Sequence, residues 1–163
     1  MHCLILLLNL GNYGWRWVDF LVDSMGCTAL HIASEHRSTD VALLLINRRA
    51  DLNLTDNWGK TPLHFAVRLG SEYTIRELIY AGASLNIGDY KGRKPIHCAI
   101  EENRQTTAIK LLRKGADPNV VDENGQKLVY HLISRLIKTG ADLDMADKHV
   151  GIIVGRIITT TIT

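Results

Sequence analysis

The sequence predicts an all-α chain built from repeated two-helix units, and its column structure carries that prediction. Glycines at 26, 59, 92 and 125 are spaced by 33 residues, and aspartates at 23, 56, 89 and 122 keep the same interval, each three residues ahead of a glycine. The interval recurs for His31, His64 and His97, for Ala33, Ala66 and Ala99, for Leu45, Leu78 and Leu111, and for Asn53, Asn86 and Asn119. A fixed period in the range of roughly 20–50 residues marks a repeat architecture, in which each unit buries its apolar face only against its neighbours.

Within one unit the elements follow in order. Thr28 and Thr61 precede apolar runs, where a hydroxyl can accept from the unpaired N–H groups of a helix start. Pro62 stands at the first helical position, which requires no donor. In the short helix that begins there, Leu30, Leu63 and Ile96 are expected to face the core. Ala33, Ala66 and Ala99 are small enough to let a second helix approach closely. That second helix carries Leu45 and Ile46, Leu78 and Ile79, or Leu111 and Leu112. Gly82 and Gly115 suit the left-handed conformation that ends a helix, and Arg49 takes their place in the first unit. A polar loop containing Asn and Asp leads to the next unit. Lys94 occupies the threonine column of the third unit, so that helix is expected to lack a side-chain cap whose removal typically costs ~1 kcal/mol.

The segments Gly26-Cys-Thr-Ala-Leu-His-Ile-Ala33, Gly59-Lys-Thr-Pro-Leu-His-Phe-Ala66 and Gly92-Arg-Lys-Pro-Ile-His-Cys-Ala99 resemble ankyrin repeats, as do Arg49-Ala-Asp-Leu-Asn53, Gly82-Ala-Ser-Leu-Asn86 and Gly115-Ala-Asp-Pro-Asn119. The resemblance is strongest over residues 23–126. It implies helix, turn, helix and a projecting hairpin-like loop in each unit, stacked as an ankyrin-repeat solenoid whose concave side and loop tips face a partner.

On this frame the chain divides into an N-terminal half-repeat cap with an aromatic insertion (1–25), three repeats (26–58, 59–91 and 92–124), a shortened, divergent fourth repeat (125–150) and a non-repeat tail (151–163). The insertion contains Tyr13, Trp15, Trp17 and Phe20, and Leu4–Leu8 is expected to pack on the helices of the first repeat. In the fourth unit Gly125 and Gly140 are 15 residues apart, where Gly59 and Gly82 are 23 apart. The eight missing residues correspond to Glu101–Ala108, so Lys127–Lys138 is expected to form one merged helix. Tyr130 and Leu128 replace the histidine and proline columns, consistent with either a divergent cap or the product of a deletion or splicing event. Gly151–Thr163 is β-branched, with Arg156 as its single charge, a composition suited to strand pairing or aggregation if left free.

Composition narrows the function. Nineteen Lys and Arg against seventeen Asp and Glu give a net charge of +2, too small for the usual electrostatic footprint of phosphate-backbone binding, so no nucleic-acid partner is expected. Cys3, Cys27 and Cys98 form no C-x-x-C pair and read as reduced thiols of an intracellular protein in cytoplasm or nucleus. The apolar run Cys3–Leu8 is far short of the roughly 20 residues needed to span a bilayer, so membrane insertion is not expected. His31, His64 and His97 fall on successive units separated by roughly the 8–10 Å of helix packing, too far apart to share one metal ion at ligand distances of ~2 Å. No metal or cofactor is expected. The resemblance gives these histidines a structural role, tying one hairpin loop to the next. No nucleophile–base pair, separated carboxylate pair or phosphate-binding glycine motif is patterned, so the chain is not expected to be an enzyme. Glu101 and Glu102 read as a solvated helix end.

The resemblance instead implies a non-enzymatic scaffold or adaptor, expected to be monomeric, that binds another protein or peptide through columns that vary between units. Mapped onto this sequence, these are Ser24, Met25, Cys27, Glu35 and His36, then Asn57, Trp58, Lys60, Arg68 and Leu69, then Tyr90, Lys91, Arg93, Glu101 and Glu102. Trp58 and Tyr90 with Lys60, Arg68, Lys91 and Arg93 are expected to form an aromatic and basic ridge suited to a partner of some acidic character, since Trp, Tyr and Arg are the usual hot-spot types. The half-repeat and the tail also fit a piece of a larger multidomain ankyrin protein, such as a ubiquitin-ligase adaptor, a channel cytoplasmic region or a toxin, with its effector activity elsewhere. Asn53, Asn86 and Asn119 resemble loop asparagines that asparaginyl hydroxylases modify.

Overall fold

A computed structural model describes residues 19–121 together with 124, 125, 127, 128, 130, 131 and 134. The expectations for Leu4–Leu8, for Tyr13, Trp15 and Trp17, for most of Lys127–Lys138 and for the tail 151–163 lie outside the described residues. The chain divides into two compact units, Met1–Ser84 and Leu85–Thr163.

In the first unit, α1 (Ala29–Glu35) is followed by α2 (Thr39–Asn47), α3 (Pro62–Leu69) and α4 (Glu72–Tyr80). Helix α1 packs on α2 and α3, and α4 packs on α2 and α3. The second unit pairs α5 (Pro95–Glu101) with α6 (Gln105–Arg113). Among the described residues the fold is all-α, its only β features being the isolated antiparallel bridges Val22–Thr28 and Val121–Lys127.

These helices have seven to nine residues, below the roughly 12–15 at which an isolated helix becomes even marginally stable in water. Their persistence therefore rests on burial and on the pairing of their end groups. The first unit buries Leu30, Ala33, Leu45, Leu63, Ala66, Val67, Ile75 and Leu78, and the second Ile96, Ala99, Ala108 and Leu111. Ile46 and Ile79 are only half-buried, at the margin of the apolar stripe.

The first helix of each pair starts around a histidine at its third position. The ring Nδ1 of His31, His64 and His97 accepts from the backbone N–H of Thr28, Thr61 and Lys94 at 3.1, 3.0 and 2.9 Å. Thr28 reciprocates, its Oγ1 accepting weakly from the His31 amide at 3.4 Å. Lys94 has no side-chain acceptor. Its ammonium instead meets Asp117 Oδ2 at 2.8 Å, so the missing hydroxyl cap is accompanied by an ion pair to the loop after α6.

The helix ends follow one rule that residue identity conceals. The amides of Ser38, Ser71 and Arg104 donate to the carbonyls of Ala33, Ala66 and Ala99, and those of Ala50, Ala83 and Ala116 donate to Leu45, Leu78 and Leu111. These bonds close Schellman motifs, each requiring a left-handed residue just before the donor. Arg37, Gly70 and Asn103 fill that position after the first helix of each pair, at φ 54, 70 and 55°, and Arg49, Gly82 and Gly115 after the second, at φ 62, 93 and 100°.

Two stability predictions follow from this packing. Leu63 is fully buried, so Leu63→Ala should cost about 2–5 kcal/mol; a thermal midpoint equal to wild type would contradict its core position. Arg49→Gly should stabilise by about 1 kcal/mol, because glycine adopts the left-handed region without the penalty of a Cβ, and chemical denaturation would show the gain as a raised midpoint.

Candidate interaction surface

The segments between helix pairs are closed by the Asp and Gly columns. In the first unit Asp56 donates its amide to the Lys60 carbonyl at 2.9 Å, while its Oδ1 accepts from the amides of Trp58 and Lys60 at 2.9 and 2.8 Å. Gly59 donates to the Asp56 carbonyl at 3.0 Å with φ at 79°, the left-handed third residue of a three-residue hairpin loop. Asp23 does the same, its Oδ1 accepting from Met25 and Cys27 at 2.8 and 2.9 Å. In the second unit Asp89 accepts from Lys91 and Arg93, both at 2.9 Å. The two residues between Asp and Gly are thereby presented on a turn that their own side chains do not have to build.

The two hairpins of the first unit are joined at their tips. The Asn57 amide donates to the Met25 carbonyl at 3.0 Å, and its Nδ2 to the Ser24 carbonyl at 3.2 Å. Gly26 allows this approach, since a Cβ there would lie 2.5 Å from Asn57 Oδ1. Met25 and Trp58 consequently occupy equivalent places on adjoining turns, each about half exposed at 51% and 49%. Asn57 is exposed and Lys60 half-buried beside them.

At the C-terminal ends of the first helices, Glu35 and Arg68 hold equivalent places and lie 3.7 Å apart, both partly exposed. The Arg68 guanidinium also sits 5.6 Å from the centre of the Phe65 ring, whose face or edge meets His31 in a perpendicular contact at the same distance. His36 is exposed and Leu69 half-buried. The Arg37 guanidinium donates to the Leu69 carbonyl, a contact between α1 and α3 ends that no column had signalled.

In the second unit Tyr90 is the most exposed aromatic, at 78%, with Lys91 exposed next to it. Arg93 turns inward: its Nε and Nη2 both donate to Asp89 Oδ2, at 3.0 and 2.9 Å, and Nη1 lies 3.9 Å from Glu101. Burial alone would raise the Asp89 pKa, but the Arg93 and Lys91 amides and the guanidinium hold it below the usual carboxylate range. Glu101 and Glu102 are exposed. Of the four cations expected to form a basic ridge, Arg68 and Arg93 thus face carboxylates of their own units.

Cys27, assigned by its column to the contact surface, is instead buried beneath the first hairpin, and burial pushes its thiol up to about 11. Such a thiol is protonated at neutral pH and is a poor nucleophile. Among the described residues no cluster of His, Cys, Asp and Glu could hold a metal ion, and no helix is long and apolar enough to cross a membrane.

His31 and His97 show the tie expected of them. His31 and His97 are buried, and their Nε2 atoms meet the carbonyls of Lys60 and Val121 at 2.9 and 3.0 Å. Since Nδ1 faces a backbone N–H, which can only donate, the proton belongs on Nε2, where it is donated to the carbonyl. Asn53 and Asn86 add a parallel link, accepting from the amides of Ser84 and Asp117, both at 2.8 Å.

Burial holds the His31 imidazole below its ordinary value of 6.5, with the Lys60 carbonyl opposing the shift. The unfolded chain therefore takes up this proton first as pH falls, and the stability present above about pH 6.5 is lost below it. The thermal midpoint should drop between about pH 7.5 and about pH 5.5, and drop less in His31→Gln; equal pH dependence in the two proteins would exclude His31 as a source.

Two family models match the chain, one described as ankyrin repeats (3 copies) over residues 48–122 and the other as ankyrin repeats (many copies) over residues 21–66. No curated protein matches it. The repeated turns, imidazole ties and helix ends span the same stretch as these two matches, and over it the chain belongs to the ankyrin-repeat family, whose repeats generally serve as protein-interaction modules.

Proposed function

We propose that this protein is a non-enzymatic scaffold or adaptor that captures a partner protein through its hairpin tips and the adjoining ends of its first helices. The observation that carries this reading is Trp58, a large aromatic kept about half exposed on a turn whose backbone amides are all hydrogen-bonded. Trp58 enters that turn only through its backbone amide, since Asp56 and Gly59 close it. Met25 on the adjoining turn extends the apolar area. A rigid, partly desolvated tryptophan beside a second apolar side chain is the usual form of a binding hot spot.

Asn57, Lys60, Glu35, His36, Arg68 and Leu69 frame this area in the first unit, and Tyr90, Lys91, Arg93, Glu101 and Glu102 offer the corresponding positions in the second. Because Arg68 and Arg93 already face Glu35, Asp89 and Glu101, any preference of these positions for acidic partners rests on Lys60 and Lys91. We place the protein as a monomer in this role.

The test is capture of partners by the wild-type chain beside Trp58→Ala, with helical content checked by circular dichroism. The expected result is unchanged helicity and an affinity for the captured partner lower by about 2 kcal/mol or more. Equal affinity would remove the hairpin tip as the binding site.

A further inference from the structure

The two hairpins of the first unit, residues 19–28 and 50–61, carry Asp19, Asp23, Asp51 and Asp56 against a single cation, Lys60. The hairpin of the second unit reverses that balance, with Asp89 against Lys91, Arg93 and Lys94. There Arg93 pairs with Asp89 and Lys94 with Asp117, at 2.9 and 2.8 Å. Among the described residues, none of the four aspartates of the first unit makes an ion pair.

Each of the four accepts backbone amides through Oδ1. Those bonds fix the carboxylates in place and leave their net charge standing. The Asp51 amide donates to Asp19 Oδ1 at 3.1 Å, which sets two acidic residues side by side. Burial raises the Asp19 pKa and the Asp51 charge adds to the rise, with the amide bond opposing both. Asp56 is buried, and its Oδ2 has no hydrogen-bond partner. The same oxygen of Asp89 accepts twice from the Arg93 guanidinium. The second unit thus supplies from within a cation that the first does not supply.

The same hairpins concentrate exposed apolar surface. Of the eleven large apolar side chains exposed among the described residues, five belong to them: Phe20, Leu21, Val22, Met25 and Trp58. Asp23 lies between Val22 and Met25, and Asp56 two residues ahead of Trp58, so acidic and apolar groups are interleaved. Exposed apolar area rimmed by polar groups marks an interaction site.

We infer that the hairpin face of the first unit docks a partner segment in which basic and apolar side chains are mixed, the apolar groups covering Met25 and Trp58 and the cations meeting Asp19, Asp23 and Asp51. This rests on the hairpin-tip reading and assigns the chemistry of the partner that the tips take. Charge complementarity selects this occupant over the others. Phosphate backbones and anionic lipid surfaces share the sign of this face and are repelled by it. A second copy of the chain would set the aspartates of one face against those of the other.

The test is fluorescence anisotropy of a labelled peptide of about ten residues, alternating arginine and leucine, with the full chain at about 50 mM and about 500 mM salt. The expected result is binding at low salt that weakens at high salt, and far weaker binding of the matched glutamate and leucine peptide. The triple variant Asp19→Asn, Asp23→Asn, Asp51→Asn keeps each Oδ1 acceptor and removes three charges. It should weaken binding about tenfold or more with helicity unchanged, and Trp58→Ala should weaken binding as well. A control that removes three acids from the second helices, Asp40→Asn, Glu72→Gln, Glu77→Gln, should retain most of the affinity. The inference is overturned by absence of binding at low salt, by equal binding of the glutamate peptide, by a loss in the control as great as in the asparagine variant, or by unaltered peptide affinity in Trp58→Ala. In each of those cases, weaker capture of a partner protein by Trp58→Ala would leave the hairpin-tip reading standing. Should the triple variant unfold, Asp19→Asn with Asp51→Asn alone is expected to weaken peptide binding in the same direction, and unaltered affinity in that variant would overturn the inference.

Discussion

An imidazole with one backbone N–H aimed at it and one backbone carbonyl in front of it has a single neutral tautomer that satisfies both. At His31 and His97 that arrangement joins the start of a helix to the carbonyl of a hairpin some two dozen or more residues later. Most of the remaining architecture depends on this link. Helices of seven to nine residues gain too little from their own hydrogen bonds to persist alone, and a repeat array has no central core to gather them. Each helix pair must therefore be fixed to the hairpin that follows it, and a buried neutral histidine does so without bringing in a charge that would require desolvation.

The Asp-x-x-Gly turns complement that link. A carboxylate accepting two amides fixes the hairpin from inside, and the left-handed glycine reverses the chain. In the second unit Arg93 occupies the remaining oxygen of Asp89. The corresponding oxygen of Asp56 is buried with no hydrogen-bond partner among the described residues, and the arginine column is there held by Lys60. The two turns share a fold but differ in how completely their polar groups are matched.

What the sequence made legible was whatever depends on side-chain identity at a fixed period. The core positions Leu30, Leu63 and Ile96 and the alanines beside them follow from the 33-residue columns, and the ties of His31 and His97 from the resemblance to ankyrin repeats. The helix ends were only partly visible, because Arg37, Gly70 and Asn103 have in common a backbone conformation and no side-chain chemistry. The pairing of Arg68 and Arg93 was not visible at all. Which carboxylate a long guanidinium reaches depends on distances across neighbouring elements, and a column records only that the residue varies. Cys27 illustrates the same limit: its column varies in type, yet here the side chain is small and apolar enough to be buried. Lys94 shows the converse, since a lost hydroxyl is plain in the sequence while the ion pair to Asp117 that accompanies it is not.

The separation of tasks within each turn has an evolutionary consequence. Because Asp and Gly close the hairpin through main-chain groups, Met25, Trp58 and Lys91 can stand at one structural address despite having almost nothing chemical in common. Substitution there changes what the surface displays while leaving the route to the folded state largely untouched. Such a position can drift, be recruited by a new ligand and drift again on a timescale set by selection for recognition alone, so the tips can record a history of partners that the helices beneath them do not share.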